Sequence, residues 1–301
     1  MREYLTLGFI GLGVMGEPMC RHLAQKSGKR VLGFDISPAP LQRLADIAGV
    51  RPAASVAEVA READILFVSL PSGRHLQAVC QEPGGVLAHA CDGQIIVDLG
   101  TSPPTLTREL EAAFADKGVR YADAPVARTR EAAERGELAI TVGAAPEVFA
   151  VIEPLLRCFA AEVTLCGGVG AGQAVKILNN MVVVGTVLVL SEAAAIGRAF
   201  GLDTPHLFET FSKGSADSFA LRNHGLKMIA AESFPKRVFS TEYMLKDIRY
   251  ALEMAHDAGA PAEVADYGRR LLEAAAAKGW GDDYWPVIST LVKGAAPDSG
   301  E

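Results

Sequence analysis

Apolar residues fall into two rhythms along this chain. Short unbroken runs at 5–10, 30–34, 65–70, 95–99, 120–124, 138–142 and 162–165 are predicted strands. Several consist of Ile, Leu and Val without alternation, as in strands covered on both faces. Helices are expected between them. Ser37-Pro38 and Ser102-Pro103 each offer a capping hydroxyl followed by proline at a first helical position. Such alternation predicts an α/β domain built on a mostly parallel sheet with helices on both sides.

The rhythm changes at Cys166-Gly167-Gly168-Val169-Gly170-Ala171-Gly172, where glycines punctuate the chain and strand-like runs stop. The segment 173–200 is apolar on nearly every face, which predicts a long helix buried on all sides. Further helices are expected at 205–212, 219–229, 241–258 and 261–277. The chain therefore divides into a sheet domain over 1–166 and an all-helical domain over 167–301, joined by the long helix. That helix is too apolar for a small domain to bury alone, so a homodimer or homotetramer through it is expected.

Composition narrows the picture by exclusion. Half the residues are hydrophobic and 22% are charged, which suits a folded protein. Lys plus Arg total 29 against 36 Asp plus Glu, a net charge of -7. A nucleic-acid or acidic-membrane partner needs the opposite balance. The most apolar stretch, 181–190, is shorter than the roughly 20 residues of a membrane span. Cys20, Cys80, Cys91, Cys158 and Cys166 form no CxxC pair and suit reduced thiols in a cytoplasm, and no histidine spacing suggests a metal.

The clearest chemistry follows the first strand. Gly11-Leu12-Gly13-Val14-Met15-Gly16 fits G-x-G-x-x-G between a predicted strand and a predicted helix. Gly11 suits a tight turn, Gly13 lets backbone approach a pyrophosphate, and Gly16 allows close packing. The helix N-terminus then offers free N–H groups to phosphate. Asp35, closing the second strand, suits adenosine ribose hydroxyls and disfavours a 2′-phosphate. NAD is therefore expected, with NADP tolerable beside Ser37. The fold is a Rossmann-type doubly wound parallel sheet.

Four segments together resemble the β-hydroxyacid dehydrogenase family, which includes 3-hydroxyisobutyrate dehydrogenase and is related to 6-phosphogluconate dehydrogenase. They are Gly8 to Met19, Asp123-Ala124-Pro125-Val126 with Gly136-Glu137-Leu138, Gly170 to Asn180, and Lys246-Asp247. The resemblance implies hydride transfer between nicotinamide and a small anionic hydroxy acid or its aldehyde. It implies Lys176 as the acid/base, with Asn180, Gly172 and Val126 at the substrate. Lys246 would reach toward both substrate and cofactor, and Leu70, Pro71 and Thr101 would lie along the cofactor.

Spacing supports Lys176 independently. It stands four residues from Asn180 on one helix face, and a lysine in an otherwise apolar helix is costly to bury without a task. As an ammonium it can protonate a carbonyl oxygen. As a neutral amine, the form that partial burial favours, it can take a hydroxyl proton. One departure bears on substrate. Where the family has Ser-Gly-Gly, this chain has Ala127-Arg128-Thr129. A guanidinium there suggests a sulfonate, phosphonate or second carboxylate held by Arg128 and Thr129. A similar Arg-Thr pair occurs in the family's sulfolactaldehyde reductases. The alternative is an ordinary 3-hydroxyisobutyrate or tartronate semialdehyde dehydrogenase. Rivals of other classes are an imine reductase, which commonly lacks the lysine, and a non-catalytic NAD-binding module.

Overall fold

A computed structural model of the chain describes residues 6–236 and 238–292. Among them nine strands form one sheet: β1 (Thr6–Ile10), β2 (Arg30–Phe34), β3 (Val50–Pro52), β4 (Ile65–Val68), β5 (Ile95–Asp98), β6 (Arg120–Asp123), β7 (Val126–Ala127), β8 (Leu138–Gly143) and β9 (Ala160–Gly167). The order is β3-β2-β1-β4-β5-β6-β8-β7, with β9 beside β8. Strands β1 to β6 run parallel, whereas β8 is antiparallel to β6 and β7. The strand order reverses where β1 meets β4, the place at which open α/β sheets bind ligands.

Helices α1 (Gly16–Ser27), α2 (Pro38–Leu44), α3 (Val56–Glu62), α4 (Gly73–Gln81), α5 (Val86–His89), α6 (Pro104–Ala115), α7 (Arg130–Arg135) and α8 (Pro146–Leu156) interleave with the strands. They cover both sheet faces, which explains the unbroken apolar runs. Leu7, Phe9, Val31, Phe67 and Val97 enter one core layer, while Ile10, Leu32, Leu66, Val68 and Ile96 enter the other. Each such side chain contributes about 1.5–3 kcal/mol by leaving water.

The chain divides into two compact units, the first ending at Lys176 and the second beginning at Ile177. The division falls later than the glycine-rich stretch suggests, inside α9 (Ala171–Ala199), because the first turn of α9 is bonded to the sheet. The second unit continues with α10 (Thr204–Phe211), a wide-turned helix over Leu221–Ile229, α11 (Thr241–Asp257), α12 (Glu263–Ala275) and a short 3-10 turn over Trp285–Leu291. Its core gathers Val184 and Leu188 with Phe208, Ile248, Leu272 and Trp285.

Two expectations about α9 are corrected. It is not buried all round, since Val182, Val189 and Ile196, spaced by seven, are 63%, 62% and 60% exposed in the single chain. Nor is its apolar part short. By length and composition α9 could cross a membrane, although one face of it packs in the core just described.

His224 gives the helical unit an acid sensitivity. It is buried, bonds Tyr284 Oη through Nδ1 at 3.1 Å and meets the Trp285 ring edge-on. Burial pushes its pKa down to about 4. The unfolded chain takes the proton near pH 6.5, so the stabilisation is full above that pH and is lost as pH falls toward 4. The expected loss is about 2 kcal/mol by pH 5. Both tryptophans, Trp280 and Trp285, lie in this unit, so their fluorescence in urea titrations at pH 7 and 5 reads it. His224→Gln should flatten the dependence, and a wild-type midpoint that does not move would exclude it.

Candidate active site

The carboxyl ends of β2, β1, β4 and β5 lie side by side, and each is followed by an expected cofactor residue. After β1 the chain turns at Gly11, whose φ of 91° lies in the region that favours glycine. Its N–H donates to the Phe34 carbonyl at 2.9 Å, and a Cβ there would strike the Ser69 carbonyl oxygen. A Cβ on Gly16 would strike the Gly11 carbonyl, so Gly16 makes room for the loop itself. Gly13 faces nothing within 4 Å, so the backbone is open to a ligand at that position. A pyrophosphate fits this cradle, above the N-terminus of α1.

Leu12 and Val14 divide their duties. The Leu12 side chain is fully buried and its N–H donates to Asp35 Oδ2 at 2.7 Å, whereas Val14 is exposed and Met15 half-buried. Asp35 Oδ1 accepts the Ser37 N–H at 2.7 Å. Two amides thus hold the carboxylate in place. Leu70, half-buried, and Pro71, exposed, follow β4, and Thr101, half-buried, follows β5. Ser102 departs from expectation. Helix α6 starts at Pro104 with Pro103 at the cap position, and the Ser102 hydroxyl turns inward to Asp98 Oδ2 at 3.2 Å.

Lys176 is buried, 8% exposed, within the first two turns of α9. Those turns are bonded to the sheet end. Asp98 and Asp123 are register partners at the ends of β5 and β6. Asp123 accepts the Gly170 N–H at 2.6 Å on Oδ1 and the Gln173 N–H at 2.7 Å on Oδ2. Burial nevertheless outweighs these bonds and pushes its pKa up to about 6. Gln173 Nε2 donates to Asp98 Oδ2 at 3.1 Å and to the Gly100 carbonyl at 2.9 Å. Gly172 lies in the same seam. It is buried against β8, where a Cβ would come within 2.5 Å of the Thr141 carbonyl and 2.8 Å of Asp123 Oδ2, so it serves close packing.

Asn180 follows Lys176 by one helical turn. In the second unit its Nδ2 donates to Asp247 Oδ2 at 2.6 Å, and Lys246 Nζ stands 3.2 Å from Asp247 Oδ1. The same ammonium lies 4.9 Å from the Tyr243 ring centre and 5.5 Å from that of Tyr250, within cation–π range. Asp247 therefore joins Asn180 and Lys246.

The loop that carries the Ala127-Arg128-Thr129 departure belongs to the first unit. Val126 and Ala127 form β7, half-buried, paired with Ile140 and Ala139. Arg128 holds φ at 85°, in the left-handed region that favours glycine. Its side chain is exposed and Nη1 donates to the Glu137 carbonyl at 2.7 Å. The Thr129 hydroxyl caps α7 by accepting the Ala132 N–H and also bonds Glu131.

Asp98, Asp123 and Gln173 were the residues that sequence reasoning missed as a group. Two aspartates closing two apolar runs were the available signal.

Residues 6–168 match the family of the NAD binding domain of 6-phosphogluconate dehydrogenase. Residues 170–291 match that of the NAD-binding region of NADP-dependent 3-hydroxyisobutyrate dehydrogenase. The 2-(hydroxymethyl)glutarate dehydrogenase of Eubacterium barkeri is 34% identical, over 96% of this chain and 95% of that one. Mitochondrial 3-hydroxyisobutyrate dehydrogenase of Mus musculus is 30% identical, over 93% and 84%. The solved structure of Mycobacterium tuberculosis 3-hydroxyisobutyrate dehydrogenase with L-serine superposes with a TM-score of 0.88 at 28% identity, covering 97% of this chain and all of that one.

Proposed function

The chain belongs to the β-hydroxyacid dehydrogenase family, and we propose that its own substrate is a small 3-hydroxy acid, or the matching aldehyde, with a second anionic group read by Arg128. The family membership makes it an oxidoreductase acting on CH–OH with NAD or NADP. The glycine loop would hold the pyrophosphate and Asp35 the adenosine ribose. Two amides fix the Asp35 carboxylate, and a fixed negative charge beside the adenosine ribose would disfavour a 2′-phosphate, which supports NAD over NADP. When bound, the nicotinamide supplies or takes up the hydride.

The protein's own part is proton transfer and orientation. Lys176 would donate a proton to the carbonyl oxygen in reduction and withdraw it from the hydroxyl in oxidation. Asn180, tied to Asp247, would hold that oxygen or a neighbouring substrate group. Lys246 adds positive charge suited to an anionic substrate. The five free thiols support a reducing, cytoplasmic setting. The exposed stripe on α9 supports a second copy of the chain packed along it.

The observation that carries the substrate reading is an exposed guanidinium in a left-handed backbone conformation beside the Val126 strand. The second anion is a carboxylate, as in a hydroxymethyl dicarboxylate, or a sulfonate, as in sulfolactaldehyde. The test is kcat/KM for sulfolactaldehyde, the aldehyde of 2-(hydroxymethyl)glutarate and methylmalonate semialdehyde. It is measured on the species that sedimentation velocity resolves, expected to be a dimer or larger. Arg128→Gly should cost about 10–100-fold on whichever doubly anionic aldehyde is preferred, the worth of one charge-assisted hydrogen bond. A preference for methylmalonate semialdehyde that Arg128→Gly leaves intact would defeat the reading.

A further inference from the structure

We infer that Asp123 and Gln173 are positioning residues for Lys176, fixing where its ammonium stands by tying the first turn of α9 to the carboxyl ends of β5 and β6. The inference rests on the reading of Lys176 as acid/base and adds to it the machinery that aims the amine.

The first turn of any helix leaves N–H groups without intrahelical acceptors, and a nearby residue commonly caps them. Here the capping carboxylate comes from a distant strand. Asp123 accepts the N–H of Gly170 and that of Gln173, one on each oxygen, at 2.6 and 2.7 Å. The bond is therefore a cross-link between β6 and α9 as well as a cap. Gln173 works in the opposite direction, from helix to strand ends. Its Nε2 reaches Asp98 and the Gly100 carbonyl, and its Oε1 accepts the Ser102 N–H at 3.1 Å. The Thr141 hydroxyl of β8 adds a bond to the Gly172 carbonyl at 3.0 Å. These bonds reach three adjacent strands, so the turn can neither slide nor rotate without breaking several of them.

Space has been made for this. A Cβ on Gly143 would collide with an Asp123 oxygen, and one on Gly172 would come within 2.8 Å of the other. Asp98, Asp123 and Gln173 are 1%, 0% and 0% exposed. An apolar seam would hold a helix against a sheet without the desolvation cost of two buried carboxylates. What the polar seam adds is directional geometry, since a fully bonded buried network admits one arrangement. Lys176 follows Gln173 by three residues, so the network sets the direction of its side chain. A misplacement of 1 Å can cost about 10²-fold in rate.

The experiment compares wild type, Asp123→Asn, Gln173→Met and Lys176→Met in aldehyde reduction, with rates normalised to the NADH-binding stoichiometry of each preparation. Asp123→Asn and Gln173→Met should each lower kcat about 10–100-fold, with the NADH Kd and aldehyde KM changed less than threefold. Hydrogen exchange should quicken over residues 170–177 in both. Should Asp123→Asn fail to fold, Gln173→Met carries the test alone. The inference is overturned if kcat per binding site stays within twofold of wild type, or if the loss lies wholly in binding stoichiometry, as a structural role alone would give. Wild type that turns over while Lys176→Met matches it would instead defeat the reading beneath.

Discussion

Alanine at Gly16 is expected to weaken NADH binding by about 10–100-fold while leaving the helical unit folded. The added methyl points straight at the Gly11 carbonyl oxygen. Relief would require the loop to move, but Gly11 is held by its hydrogen bond to Phe34 and lies against the Ser69 carbonyl. Overpacking of this kind typically costs about 1–3 kcal/mol, and here the strain falls on the amides assigned to the pyrophosphate. Fluorescence titration with NADH reads the loss, and tryptophan emission in urea checks the helical unit. An unchanged Kd would mean that the loop yields easily and is not the phosphate cradle.

Methionine at Lys176 is expected to lower kcat by about 10²–10⁴-fold, the usual worth of a positioned acid or base. The substitution keeps an unbranched chain of similar length in a buried position and removes the ammonium with its proton, its charge and the interactions it makes. NADH affinity should change little, because the glycine loop and Asp35 lie at other strand ends. Steady-state rates with a matching NADH titration separate the two effects. A variant within tenfold of wild-type kcat would remove Lys176 from the chemistry.

The sheet was legible wherever a strand is buried on both faces. Runs such as 65–68 and 95–99 announce themselves because no position in them must face water. Two strands escaped. Val50–Pro52 is short and only partly buried, and Val126–Ala127 spans two residues beside an exposed loop. The helices of the second unit were also legible, but the wide turns of Leu221–Ile229 were not, since local periodicity does not separate the two geometries. For α9 the all-round apolar reading obscured a second pattern, the seven-residue spacing of Val182, Val189 and Ile196, which the structure leaves uncovered.

The glycine loop could be read because its residues are contiguous and each glycine answers a local steric demand. The seam around Asp123 could not, because its bonds join residues 50 and 75 apart in the chain. Ser102 misled for the same reason. In sequence it is a serine before proline, the pattern of a cap, and only the fold reveals Asp98 within reach. Nothing in the sequence marked Arg128 as left-handed either, since arginine has no preference for that conformation.

The most direct test of Lys176 as the proton carrier is the pre-steady-state first turnover of the Lys176→Met enzyme, followed by stopped-flow absorbance with the enzyme saturated by NADH and mixed with excess aldehyde. A first oxidation of NADH slowed by at least a hundredfold relative to wild type is the expected result. A first turnover at wild-type speed, with delay only in later cycles, would move Lys176 from proton transfer to product release and contradict the mechanism.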